Sequence, residues 1–149
     1  MRTDENNPAD WFSHAIERLY ASDILRATEG PSSSASYLLH QSIERLLKGY
    51  LISKGWRLEK TRDLCCLVRE AVKTNPEFEK YYDMSEALTR DFRSQQFPGG
   101  DTTNFVLRYD ECRERSEEIF KLVGVQPRAC ALTFKTDKKK QAVFGDDNV

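Results

Sequence analysis

The stretch His40-Gln41-Ser42-Ile43-Glu44-Arg45-Leu46-Leu47-Lys48-Gly49-Tyr50-Leu51 decides how this 149-residue chain folds. Together with Leu39, the residues Ile43, Leu46, Leu47, Tyr50 and Leu51 recur at steps of three and four, the period of an α-helix with one apolar face. Gln41, Glu44, Arg45 and Lys48 occupy its other side, with Glu44 and Lys48 at the favourable i, i+4 spacing. The helix starts in the run Ser32-Ser33-Ser34, where any hydroxyl can cap it, and ends at Gly55.

The same period appears on either side of this segment. Upstream, Asn7-Pro8-Ala9-Asp10 supplies a cap, Pro at the first helical position and an early acid. Phe12, Ala15, Ile16, Leu19, Tyr20, Ile24 and Leu25 then mark an apolar face that closes at Gly30-Pro31. Downstream, a third helix is expected from about Arg62 to Lys73, capped by Thr61 or Asp63 and stopped at Asn75-Pro76. A fourth begins near Glu77, carries Phe78, Tyr81, Tyr82, Leu88 and Phe92, and ends before Pro98. A fifth begins at Thr102 or Thr103 and aligns Phe105, Tyr109, Cys112, Ser116, Ile119 and Val123 before Gly124.

No apolar alternation lasts long enough to nominate a strand. The expected fold is all-α, an up-and-down bundle of four to five helices over residues 1–124, with antiparallel neighbours because most connections are short. Residues 125–149 hold too few apolar side chains to offset ordering, so a mobile or partly ordered tail is expected, with Lys138-Lys139-Lys140 as a solvated run.

With 23 Lys+Arg against 24 Asp+Glu, the net charge is -1. No global field draws the chain to nucleic acid or an anionic bilayer, and any nucleic-acid contact would need a local patch. There is no apolar span and no signal-like start, so a cytoplasmic protein without a membrane is expected, with Cys65, Cys66, Cys112 and Cys130 as reduced thiols.

The chemistry open to these residues is narrow. The histidines are His14 and His40, no CxxC pair occurs, and neither histidine has a Glu three residues before it, so neither a zinc site nor a di-iron site is expected. No catalytic Ser or Cys signature and no Gly-rich phosphate cradle appears. No catalytic residue, metal or cofactor is assigned. What remains is the line His40, Glu44 and Lys48, about 6 Å per step along one helix. It is either a solvated face or inter-helix polar network, or a contact for a partner or nucleotide. Arg90 and Arg93 stand three apart on the fourth helix, where they can meet a phosphate or pair with Asp83 or Glu86.

Taken together, Trp11, the His40–Leu51 string, Gly55, Thr61-Arg62-Asp63-Leu64 and Gln96-Phe97-Pro98-Gly99 resemble the HEPN domain, the higher eukaryotes and prokaryotes nucleotide-binding domain, over roughly residues 9–124. The most specific part is similar to the family's His-Gln-x-x-Glu-x-x-Leu-Lys pattern. Arg62 stands where the family's Thr-His-Asp-Leu has His, and Gln96-Phe97-Pro98 where the family has Arg-Tyr-Pro.

The resemblance implies a helical bundle that commonly forms a homodimer and works beside a minimal nucleotidyltransferase. Ribonuclease members carry an Arg followed four to six residues later by His, and this chain has no such pair. The expected function is therefore a non-catalytic interaction module that dimerises and docks or presents substrate to a nucleotidyltransferase-type partner. Its candidate contacts are His40, Gln41, Glu44, Lys48, Asp63, Arg90 and Arg93. Trp11, Tyr81 and Tyr82 are read as surplus surface aromatics that favour the dimer. The alternatives are a divergent, toxin-like ribonuclease using His40 with an arginine brought close by folding or by a second subunit, and direct nucleotide binding beside His40, Lys48 and Arg93. An imidazole within reach of a guanidinium in a shared cleft would end the adaptor reading.

Overall fold

The computed structural model describes residues 3–95, 98–99 and 103–130. Gln96 and Phe97 of the expected turn motif, the side chain of Phe105 and the lysine run lie outside the described residues. Five α-helices and one 3-10 segment follow in order: α1 (Pro8–Glu29), α2 (Ser33–Ser53), α3 (Leu64–Thr74), the 3-10 turn Pro76–Tyr81, α4 (Tyr82–Ser94) and α5 (Thr103–Val123). No strand occurs among the described residues, and no helix there is long and apolar enough to cross a membrane.

The helix starts follow the capping chemistry. The Asn7 carboxamide accepts from the Ala9 amide, with Pro8 in the first turn, and the Ser32 hydroxyl accepts from the Ala35 amide. The Asp63 carboxylate accepts from the Cys65 amide at 2.9 Å, so Asp63 rather than Thr61 caps α3. Gly30 ends α1 at φ 82°, a conformation that costs glycine little. The expected fourth helix is divided: Asn75 caps a 3-10 turn, and the α-helix proper begins at Tyr82.

Helix α2 is the axis of the bundle and touches α1, α3, α4 and α5. Its core face, Leu39, Ile43, Leu46, Leu47 and Leu51, is at most 2 % exposed. Each such side chain contributes about 1.5–3 kcal/mol relative to exposure. Helices α1 and α2 are antiparallel, since Ser22 bonds to Ala35 while Ser42 bonds to Ala15. Their approach is closest at Gly49, where an added Cβ would lie 2.8 Å from both Trp11 Cβ and Phe12 Cε1. Helix α5 is clamped to α1 by two forked pairs, Arg26 on Asp110 and Arg113 on Asp23.

One neighbour relation differs from the antiparallel expectation. Arg62 meets His40 and Thr74 meets Tyr50, so α3 runs in the same direction as α2. The connection from Lys54 to Asp63 is long enough to make this return, because an extended chain covers about 3.3 Å per residue against 1.5 Å in a helix.

Tyr81, expected on the surface, is 2 % exposed and donates to Glu118 on α5. Its apolar ring is already used by the single bundle, and Trp11 and Tyr82 are partly covered. The described start of the tail also lies against the bundle: Val125 packs on the core, and the Arg128 guanidinium sits 3.8 Å above the Tyr20 ring.

Candidate functional site

The i, i+4, i+8 spacing on α2 does align His40, Glu44 and Lys48, but the line faces inward. These residues are 0 %, 7 % and 5 % exposed, which corrects their assignment as outward contacts. The reason lies on both flanks of α2. The covering side of the helix is crossed by Trp11 of α1 at one end and by Arg62 and Phe92 at the other, leaving little of it to solvent.

The line is an inter-helix polar network. Lys48 Nζ donates to Glu44 Oε2 at 2.8 Å and lies 5.8 Å from the Trp11 ring centre. Glu44 Oε1 stands 4.0 Å from His40 Nδ1, too far for a hydrogen bond. His40 Nε2 lies 2.9 Å from the Arg62 carbonyl oxygen, and since a carbonyl can only accept, Nε2 carries the proton. The imidazole stacks on Phe92, 4.3 Å between centres and 7° from parallel. Burial holds the His40 pKa down at about 4, against the opposing pull of Glu44 and the Arg62 carbonyl. The ring is neutral near pH 7, and its Nδ1 has no hydrogen-bond partner.

Of the other candidate residues, Asp63 and Arg93 lie at the rim of this network, and Gln41 and Arg90 are paired apart from it. Gln41 accepts from Arg18 Nε at 3.0 Å. Asp63, while capping α3, also pairs with Arg93 at 3.6 Å, with side-chain exposures of 28 % and 66 %. Arg90 reaches Glu86 of its own helix at 3.1 Å. The rim and the interior meet because Arg62 and Phe92, which enclose His40, are the chain neighbours of Asp63 and Arg93. Arg90 is not drawn into the network.

Sequence reasoning missed a second polar cluster at the α2–α4 contact. Ser36 donates to Asp91, and Gln95 Nε2 reaches the same carboxylate oxygen at 2.6 Å. Burial raises the Asp91 pKa, against these two donors. A buried serine in each of the first two helices, Ser22 and Ser42, likewise bonds to a carbonyl of the facing helix. Small polar residues inside an apolar stripe were the available signal.

A cavity of about 220 Å³ opens elsewhere, between α1, α2 and the turn before α1. It is lined by Asp4, Glu5, Asp10, Trp11, His14 and Arg45 among others. His14 and Arg45 thus line one cleft, but no hydrogen bond joins them, and the histidine is not the expected His40. The three carboxylates around them oppose a polyanion such as RNA. Among the described residues no group of three or more His, Cys, Asp or Glu side chains is placed so that it could hold a metal ion.

Compared with known proteins, the chain matches the family model of the HEPN domain over residues 8–126. No curated protein and no solved structure matches it.

Proposed function

Because the chain belongs to the HEPN domain family, we propose that it acts as a non-catalytic interaction module, dimerising and docking a minimal nucleotidyltransferase-type partner through the rim formed by Asp63, Arg90 and Arg93. The observation that carries this reading is the Arg93–Asp63 pair. It is partly to largely exposed and loose at 3.6 Å, and its two residues are the chain neighbours of Arg62 and Phe92, which enclose His40.

Exposed pairs of this kind are worth about 0–1 kcal/mol, so Arg93 and Arg90 can exchange their own acids for a partner's carboxylate or phosphate at little cost. The interior fixes where the rim stands. His40 holds the Arg62 carbonyl, Phe92 is stacked on His40, and both Asp63 and Arg93 inherit that placement.

A non-catalytic role is supported by the state of His40. A fully covered imidazole with its proton committed to a carbonyl cannot reach an RNA 2′-hydroxyl or exchange protons with it. The partner role is tested by co-expressing the chain with minimal nucleotidyltransferases, above all any encoded beside it. Co-purification that is lost in the double variant Arg90→Glu/Arg93→Glu supports the reading, and failure to retain any such partner overturns it. The dimer is tested separately by sedimentation, where a monomer at all concentrations would remove it.

A further inference from the structure

The cavity beside α1 keeps its charges apart. The Arg45 guanidinium is partly covered, and its Nε is enclosed without a hydrogen-bond partner. Arg45 makes no ion pair among the described residues, although Asp4, Glu5 and Asp10 line the same space. Burial lowers its pKa, opposed by Glu44, while Arg18 and Arg62 lower it further. The enclosed Nε is out of a ligand's reach, but the rest of the partly exposed guanidinium, which forms no ion pair there, gains from an acceptor brought in from outside.

The acidic side is held in position. The Asp4 amide donates to Asp10 Oδ2 at 2.8 Å, the Asn6 amide to Asp4 Oδ1 at 2.9 Å, and Trp11 Nε1 to the Glu5 carbonyl at 2.8 Å. These bonds fold residues 4–7 back against Trp11 and hold the Asp4 and Asp10 carboxylates on backbone amides, while Glu5 is tied through its main-chain carbonyl and its carboxylate is left unbound among the described residues. The remaining lining residues are Thr3, Trp11 and His14. At about 220 Å³ the space is below the roughly 300 Å³ at which drug-sized sites begin, so its ligand is small.

We propose that this cavity binds a zwitterionic α-amino acid with an apolar or aromatic side chain. Its carboxylate meets the Arg45 guanidinium, its ammonium the carboxylates of the N-terminal turn, and its side chain the Trp11 ring. A ligand with one charge would leave one side of the cavity unpaired, and a dipolar one satisfies both. This site is independent of the docking rim.

The test uses the full chain and L-phenylalanine as the probe, followed by calorimetry and by the two indole N–H signals in NMR. Saturable binding that moves the Trp11 signal and leaves Trp56 in place is expected. Phenethylamine, which lacks the carboxylate, and 3-phenylpropionate, which lacks the ammonium, should each bind at least about tenfold more weakly. Arg45→Gln should weaken L-phenylalanine binding to the same degree. Glu5→Gln, on an exposed residue whose carboxylate supports no part of the fold, provides a second arm with the same expectation. Absence of saturation in the millimolar range, equal affinity for all three compounds, or a shift of Trp56 together with Trp11 would overturn the proposal.

Discussion

His40 Nε2 and the Arg62 carbonyl oxygen stand 2.9 Å apart, and through this bond α2 fixes the start of α3. The contact makes the imidazole a donor of fixed tautomer inside the bundle. Its buried, uncharged state has a measurable linkage to pH.

Unfolded, this histidine has a pKa near 6.5; folded, about 4. Between these values the unfolded chain binds a proton that the folded chain refuses, so stability falls as pH drops from about 6.5 to about 4. The groups facing the ring are Glu44, Lys48 and Arg62, and their balance does not rescue the charged form. The contribution, fully present above about pH 6.5, is up to about 3 kcal/mol. Urea denaturation at pH 7 and pH 5 should show a larger loss for the wild type than for His40→Gln, and equal losses would refute the assignment. Asp91 acts with the opposite sign, its raised pKa favouring the folded state at low pH.

Glu44 and Lys48 form a covered pair, with side-chain exposures of 9 % and 6 %. Removing one partner strands the other charge, so Lys48→Met and Glu44→Leu should each cost roughly 3 kcal/mol or more. The double variant should lose less than the sum of the two, since neither charge is then left unpaired. A double-mutant cycle in urea measures this, and additive losses would show that the pair is not coupled.

Gly49 is set by contact and not by backbone angle. Gly49→Ala should gain about 1 kcal/mol of helix propensity but lose more, because its Cβ would meet Trp11 Cβ and Phe12 Cε1 at 2.8 Å. Net destabilisation of about 1–3 kcal/mol is expected, read as a lowered thermal midpoint. A stabilised variant would mean that α1 and α2 are free to separate.

The helices were legible because caps and apolar steps are local: Asn7-Pro8, Ser32 and Asp63 mark starts that the structure keeps. The direction of α3 was not, since it depends on where a ten-residue connection returns. Nor was the burial of His40, Glu44 and Lys48. A polar row at i, i+4 spacing reads the same whether water or neighbouring helices cover it, and here Trp11, Arg62 and Phe92, all distant in sequence, do so. The Asp63–Arg93 pairing was invisible for the same reason, though each residue was separately selected. His14 and Arg45 passed unnoticed as a pair because they share a cavity only after α1 and α2 fold together.

The division between a structural interior and a working rim is tested most directly by titrating a minimal nucleotidyltransferase that co-purifies with the chain into three forms of it: wild type, Arg90→Glu/Arg93→Glu, and the interior variant Glu44→Leu/Lys48→Met. The rim variant should bind at least about tenfold more weakly at an unchanged thermal midpoint, while the interior variant keeps the wild-type Kd within about threefold. Wild-type affinity in the rim variant, with binding lost in a folded interior variant, would contradict the account.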